Sequence, residues 1–248
     1  MRVAKRFGVA LFTCLLFAAV LWAFAQSGQA SWREKRTIVV ETPTGVVSAS
    51  GVWEHTMSDN RGAWIPESRG VSTTSRGEAI PLEVAPGKWL FVLFGGDRAN
   101  DIVRQDLESQ GGVHGYIRLL NDTIGKVRLA TNAKGEPLRF GMVTFLDIDD
   151  PDSARFIENG DLEPFFGPGY RIVSSTVEIT DEPVTEGRVI GVLDWWMEHR
   201  AGPYNEMDNL KIPDKSPRGW TNLGPRAFWS LEYRQAMTQQ WEKNHANP

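Results

Sequence analysis

The sequence predicts an α+β domain with an antiparallel or mixed β-sheet and a few helices, preceded by one transmembrane helix. Three observations support this class. A nineteen-residue run without charge follows a short basic segment. Runs of β-branched and aromatic residues separated by Pro/Gly turns come next, and these are typical of paired strands. Towards the C-terminus, large apolar residues recur every four positions, which is the spacing of one helix face.

The uncharged run covers residues 7–25. A helix of this length reaches about 28 Å, close to the roughly 30 Å of a bilayer's hydrocarbon core. Arg2, Lys5 and Arg6 make residues 1–6 basic, which favours a cytoplasmic N-terminus. We therefore expect a single-pass protein of the inner (cell) membrane, whose remaining chain is periplasmic or otherwise extracytoplasmic.

A cleaved secretory signal is the alternative interpretation of this run. Residues 23–25, Ala-Phe-Ala, form an A-x-A-like cleavage site at its end. The run is longer than the roughly 7–15 apolar residues of a secretory signal, which favours an uncleaved anchor. Both interpretations export the same domain.

Composition restricts the chemistry of the exported part. Cys14 is the single cysteine, so the chain after residue 30 forms no disulfide. Residues 1–30 hold three of the 27 basic residues and none of the 31 acidic ones, which leaves the remainder with a formal charge of −7. This balance lacks the basic footprint of nucleic-acid binding, and we expect no nucleic-acid partner.

The domain is predicted to begin after a polar connector over residues 26–35 and to extend over residues 36–225. Two β-branched runs, residues 37–41 and 46–54, flank a Pro/Gly turn and predict a hairpin. Residues 55–76 are rich in Ser, Thr, Gly and Arg, which predicts a long loop suited to binding.

A second hairpin is predicted from residues 78–84 and 89–94. The second of these runs does not alternate, so both faces of its strand should be buried, and Pro81 places the first strand at a sheet edge. A Gly-Gly pair then precedes a predicted helix over residues 100–110. The pair invites comparison with a phosphate site, but G-x-G-x-x-G and the P-loop lysine are both missing, which favours a plain turn.

Later segments continue the pattern. Asp150 followed by Pro151 predicts an N-capped helix start. In the last predicted strand, Val173, Val177 and Ile179 should share one face. The predicted strands cover residues 116–120, 126–130, 140–147 and 170–180, with a turn at 165–169.

The C-terminal part combines an amphipathic helix with many aromatic residues. A helix over residues 226–244 should pack on the sheet, after a loop-like stretch. Trp195, Trp196 and Trp220 are candidate binding residues, because aromatic faces stack on sugars and dock partner helices. The alternative is that these rings pack in the core. His114, between glycine-containing turns, is the histidine that would act in a cleft, against the alternative of a surface histidine.

The densest group of carboxylates supplies the candidate metal ligands: Asp147, Asp149, Asp150, Asp152 and Glu158. Against a calcium-loop template that starts at Asp147, the acidic positions 1, 3 and 12 match. Pro and Asp, however, occupy positions 5 and 6, where the loop needs a ligand and a glycine. Calcium is the one cofactor these residues suggest, and a capped helix start is the alternative.

Five segments carry a family resemblance: residues 40–51, 77–82, 142–155, 166–169 (Phe-Gly-Pro-Gly) and 177–187. Together they resemble an uncharacterised family of bacterial envelope proteins, each with an N-terminal hydrophobic segment and one outer domain. The resemblance covers most of residues 35–196. It implies a bacterial envelope setting and no known activity.

The sequence contains no H-E-x-x-H, no paired cysteines and no G-x-S-x-G, so we assign no catalytic residue. The function expected is a membrane-anchored extracytoplasmic binding or assembly module with an envelope protein as partner. The alternative is a metal-dependent or other hydrolase centred on the Asp147–Asp152 cluster. A solute-binding domain is a third hypothesis and requires a deep apolar cavity.

Overall fold

The computed structural model describes residues 28–60, 67, 69–94, 124–129, 141–195, 210–211, 222–223, 228, 239 and 243. Within these residues the protein is mostly antiparallel β-sheet with very few helical residues. The predicted sheet is therefore confirmed, whereas the α+β class with a transmembrane helix is not. In this described part, no helix is both long and apolar enough to cross a membrane. The predicted span over residues 7–25 lies outside it.

The described residues contain eleven strands. They are β1 (Gly28–Thr42), β2 (Gly45–Asp59), β3 (Val71–Arg76), β4 (Ile80–Ala85), β5 (Lys88–Val92), β6 (Val127–Leu129), β7 (Met142–Phe145), β8 (Ala154–Phe156), β9 (Arg171–Ile179), β10 (Leu210–Lys211) and β11 (Asn222–Leu223).

These strands form two main sheets. The first sheet has the order β3-β2-β1-β9-β6 and the second sheet has the order β4-β5-β7-β8. All neighbours in both sheets are antiparallel. The short strands β10 and β11 pair with each other.

The β1–β2 hairpin is the backbone of the first sheet. Its strands pair without interruption from Thr42 opposite Gly45 to Gly28 opposite Asp59, so the hairpin prediction is confirmed. The connector predicted over residues 26–35 is wrong from Gly28 onward, and the loop predicted over residues 55–76 is wrong at both ends. Both stretches are rich in polar residues, but a strand with one solvated face accepts a polar residue at every second position.

The second predicted hairpin is confirmed by β4 and β5, which pair antiparallel. β4 lies at the edge of the second sheet, as Pro81 requires. On β5, Leu90 belongs to the core between the sheets and Phe91 to the core on the opposite face, and both are 0% exposed. The strand is therefore buried on both faces, as its lack of alternation predicts.

Two cores lie on the two faces of the second sheet. The inter-sheet core holds β1, β2 and β9 against β4, β5 and β7; its members include Ile38, Val40, Trp53, Leu82, Leu90 and Met142. The outer core covers the opposite face with later segments of the chain; its members include Phe91, Val143, Phe145, Val189, Leu193 and Phe228.

The prediction that Val173, Val177 and Ile179 share one face of strand β9 is wrong for Val173. Val177 and Ile179 are buried as expected, but Val173 is 48% exposed and Ile172 packs against the inter-sheet core instead. The cause is a β-bulge, since the register with β1 shifts between Val39 and Val40. An extra residue in one strand moves the side chains beyond it to the other face.

The helix start at Asp150 is confirmed only as a cap. The Asp150 side chain accepts the Asp152 backbone N–H, but the helix is a single 3-10 turn, Pro151–Ser153. The chain then enters β8, because Ala154 pairs with Phe145 of β7 and is 0% exposed there. Burial against a neighbouring strand overrides the local helix signal.

The remaining predictions have mixed outcomes. The strands predicted over residues 126–130, 140–147 and 170–180 are confirmed by β6, β7 and β9. The turn predicted over residues 165–169 begins as one helical turn, α1 (Glu163–Phe166), which ends at Gly167. The helix at 100–110 and the strand at 116–120 lie outside the described residues, as does most of the predicted helix at 226–244.

Candidate functional site

The inward face of β1 changes character along its length. Alternate residues of β1 are buried, and this row passes from Ile38 and Val40, which belong to the inter-sheet core, to Arg36 and Glu34. Strand geometry places every second side chain on one face, so Glu34 and Arg36 lie on the same buried face as Ile38 and Val40. We define the polar cluster as Trp32, Glu34, Arg36, Trp53 and His55, which neighbouring strands β1 and β2 bring together.

A buried ion pair forms the centre of the polar cluster. Arg36 donates through Nε to Glu34 Oε1, and the side chains are 3% and 5% exposed. The guanidinium carbon of Arg36 also lies 4.1 Å from the centroid of the Trp53 ring. Removing both charges from water carries a large desolvation cost, which the ion pair and the cation–π contact offset.

His55 lies beside this pair on β2. Its ring is 5.4 Å from the Trp32 ring, centroid to centroid. Its Nδ1 shares a hydrogen bond of 2.8 Å with Ser75 Oγ of β3. Its Nε2 is buried and has no hydrogen-bond partner.

The position of His55 determines its charge. The pKa of His55 is lowered from 6.5 to about 4, chiefly by burial; Glu34 and Glu54 act to raise it, and Arg36 acts with burial to lower it. The imidazole is therefore neutral at neutral pH. At 3% exposure the ring is almost completely removed from solvent, and its described contacts are the Trp32 ring and the Ser75 hydroxyl.

A second buried carboxylate, Glu78, joins the two sheets to a later loop. It accepts the backbone N–H of Gly187, Arg188 and Val189 at 3.1, 2.9 and 3.3 Å. Burial raises the pKa of Glu78, and the three N–H groups with the Arg188 charge oppose that rise. The carboxylate holds the segment that places Val189 in the outer core.

Four of the predicted metal ligands, Asp147, Asp149, Asp150 and Asp152, lie in a solvent-facing turn between β7 and β8, and Glu158 follows β8. All five carboxylate residues, Asp147, Asp149, Asp150, Asp152 and Glu158, are exposed. Asp147 accepts the N–H of Asp149, and Asp150 accepts that of Asp152. Across the residues that the structure describes, no three His, Cys, Asp or Glu side chains are grouped to hold a metal. Metal binding stays a prediction, and the observed role of two of these carboxylates is to cap the turn.

Trp195 is the one predicted binding residue that the structure describes. It is half-buried, its indole N–H donates to Ile148 O at 2.7 Å, and its ring packs against Phe145. These contacts correspond to the packing alternative. Trp196, Trp220 and His114 lie outside the described residues.

Sequence reasoning missed the polar cluster and Glu78. The signal for the cluster is the alternation Trp32-x-Glu34-x-Arg36 running directly into Ile38 at the same period of two. It shows which residues share a face. It does not show that His55 lies opposite Trp32, because that depends on the hairpin register.

Comparison with known proteins adds no relative. The chain matches no protein-family model, no curated protein and no solved structure. The resemblance to an uncharacterised bacterial envelope family stays a prediction.

Proposed function

We propose that the protein is a membrane-anchored extracytoplasmic module that binds or assembles with an envelope protein. The observation that carries this proposal is the position of the first strand. β1 begins at Gly28, and only Gln26 and Ser27 separate it from the uncharged run over residues 7–25. A β-rich body that starts directly after a span-length apolar run is the arrangement of a domain displayed at a membrane surface.

The roles of the described ionisable groups favour binding over catalysis. Glu34 and Arg36 neutralise each other in the interior, and Glu78 is engaged by three backbone N–H groups. Asp147 and Asp150 cap an exposed turn. A hydrolase centred on the Asp147–Asp152 cluster gains no support from these positions, because its carboxylates would have to converge in a concave site.

Fusion of a topology reporter to the C-terminus tests the location. We expect alkaline phosphatase to be active and a cytoplasm-restricted fluorescent protein to be dark. The matched variant replaces Arg2, Lys5 and Arg6 with glutamine, which should reduce the orientation bias without shortening the apolar run. A reporter active only inside the cell for the natural sequence would contradict the proposal.

N-terminal sequencing of the membrane fraction separates the anchor from a cleaved signal. We expect the natural N-terminus on membrane-bound protein.

Crosslinking in intact cells, followed by purification from solubilised membranes, tests the assembly role. Recovery of the chain without a stable companion would count against that role and leave the membrane location intact.

A further inference from the structure

One end of the first sheet is formed by three strand ends. β1 starts at Gly28, opposite Asp59 at the end of β2, and Asp59 in turn lies opposite Val71 at the start of β3. The backbone N–H of Asn60 donates to Gly70 O at 2.7 Å and closes the β2–β3 connection there. We call this the Gly28 end. The β1–β2 turn at residues 43–44 marks the opposite end.

Chain length limits the distance between the Gly28 end and the apolar run. Three Cα–Cα steps separate Ala25 from Gly28, so these atoms lie at most about 11 Å apart. The headgroup layer on each side of a bilayer is about 5–8 Å thick. Gly28 must therefore lie within or just above the headgroups if residues 7–25 span the membrane.

We infer that the Gly28 end of the first sheet rests on the lipid headgroups, an inference that depends on the proposed membrane anchor. The side chains described at this end suit a hydrated polar layer. Gln29 and Ser31 are exposed and uncharged, and Glu67 and Arg69 are exposed with opposite charges. In this inference the short tether holds this end at the membrane.

The length of β1 provides an internal reference. Its fifteen residues extend about 46 Å from Gly28 to Thr42 at about 3.3 Å per residue. A label at the turn of residues 43–44 is therefore far from a label at the Gly28 end of the same continuously paired hairpin. The two labels separate a sheet that touches lipid at one end from one that stands off or lies flat.

The test uses the full chain in vesicles of equal phosphatidylcholine and phosphatidylglycerol, with a nitroxide quencher on the lipid headgroup. Cys14→Ala provides the cysteine-free background, and Gln29→Cys or Thr44→Cys carries the fluorophore. Gln29 and Thr44 are both exposed, which makes them a matched pair. We expect headgroup quenching to be at least several-fold stronger at position 29 than at position 44.

Equal quenching at the two positions, or none at either, would overturn the inference while the protein stays in the vesicles. A body that stands off the bilayer would give no quenching at either position, and a body that lies flat on it would give equal quenching. Loss of the chain from the vesicles in an alkaline carbonate wash would overturn both this inference and the proposed anchor. Unchanged tryptophan fluorescence of each labelled variant controls for folding.

Discussion

The two halves of the inward face of β1 are equally buried and chemically opposite. Ile38 and Val40 are 2% and 0% exposed, and Glu34 and Arg36 are 4% and 3% exposed. The apolar half is stabilised by any close-packed apolar neighbour. The polar half is stable only as a complete set, because each buried charge depends on its partner. Strand geometry thus determines burial, while the chemistry of the buried row determines how substitutions are tolerated.

Trp53 is the residue at which the two halves meet. Its ring carries the Arg36 guanidinium on one face and contacts Phe94 edge-on, with centroids 5.1 Å apart. Its indole N–H donates to Glu78 O at 2.7 Å. A change in either half should therefore alter the contribution of Trp53 to the tryptophan fluorescence of the protein.

The largest effect is expected from Arg36→Met, which breaks the polar half at its centre. It removes the guanidinium that pairs with the buried Glu34 carboxylate, and we expect the free energy of unfolding to fall by about 3–5 kcal/mol. The matched change in the apolar half, Ile38→Val, should cost about 1 kcal/mol. Urea denaturation followed by tryptophan fluorescence measures both.

The double variant Glu34→Gln, Arg36→Met should recover part of that loss, because it removes both charges. Equal costs for Arg36→Met and Ile38→Val would show that the two halves do not differ.

His55 is expected to make the polar half sensitive to acid. Its folded pKa of about 4 lies below its ordinary 6.5, so the unfolded chain binds a proton more readily. Its contribution to stability is complete above pH 6.5 and is lost as pH falls towards 4. A shift of this size corresponds to about 3 kcal/mol.

His55→Phe provides the control, because it keeps an aromatic ring and removes the titration. The stability difference between the natural protein and this variant should change by about 3 kcal/mol between pH 7 and pH 4. Groups that titrate in both proteins, including Glu78, cancel in that difference. A pH-independent difference would contradict the buried neutral state of His55.

The sequence predicted the apolar half of the fold better than the polar half, for a physical reason. The continuous apolar run over residues 89–94 predicts a strand covered on both sides, and β5 confirms it. Residues 28–35 and 55–59 alternate just as regularly, but their inward positions hold Glu34 and His55 as well as apolar residues. Glu34 is acceptable in a core because Arg36, two residues along β1, pairs with it. His55 is acceptable because the pairing of β2 with β3 places the Ser75 hydroxyl beside its ring.

The smaller prediction errors also depend on whether a feature is determined by nearby residues or by pairing with a distant strand. The Asp150 cap was predictable because it involves a backbone N–H two residues away. The strand that begins at Ala154 and the outward position of Val173 were not. One depends on pairing with Phe145 and the other on a shift in register against β1. The candidate site depends on the same long-range register.

Gly77→Ala should produce an intermediate effect at the boundary between the halves. Gly77 has φ +146°, and an added Cβ would lie 2.7 Å from Trp53 Cδ1. Gly45 has φ +139° with nothing within 4 Å, so Gly45→Ala is a control with similar backbone strain. We expect Gly77→Ala to cost about 2 kcal/mol more than Gly45→Ala in urea denaturation, as overpacking a buried ring does. Equal losses of unfolding free energy for the two variants would show that the Trp53 side chain moves to accommodate the added Cβ. Trp53 would then not be a fixed contact between the two halves.

The smallest effect is expected among the exposed charges of the β7–β8 turn, which extend the comparison from buried to solvated carboxylates. Asp150→Ala removes the acceptor of the Asp152 N–H and should cost about 1 kcal/mol of unfolding free energy. Asp152→Ala is the matched control, since it removes a neighbouring exposed carboxylate but not that cap.

The same two variants separate capping from calcium binding. If the carboxylates only cap the turn, calcium leaves the melting temperature of the natural protein unchanged, and Asp150→Ala alone is destabilised. If they bind calcium, the ion raises that melting temperature by binding the folded state, and both substitutions weaken the rise. The first pattern is expected here, because Asp147 and Asp150 each accept a backbone N–H in the turn. The second pattern would support the hydrolase alternative over the binding module.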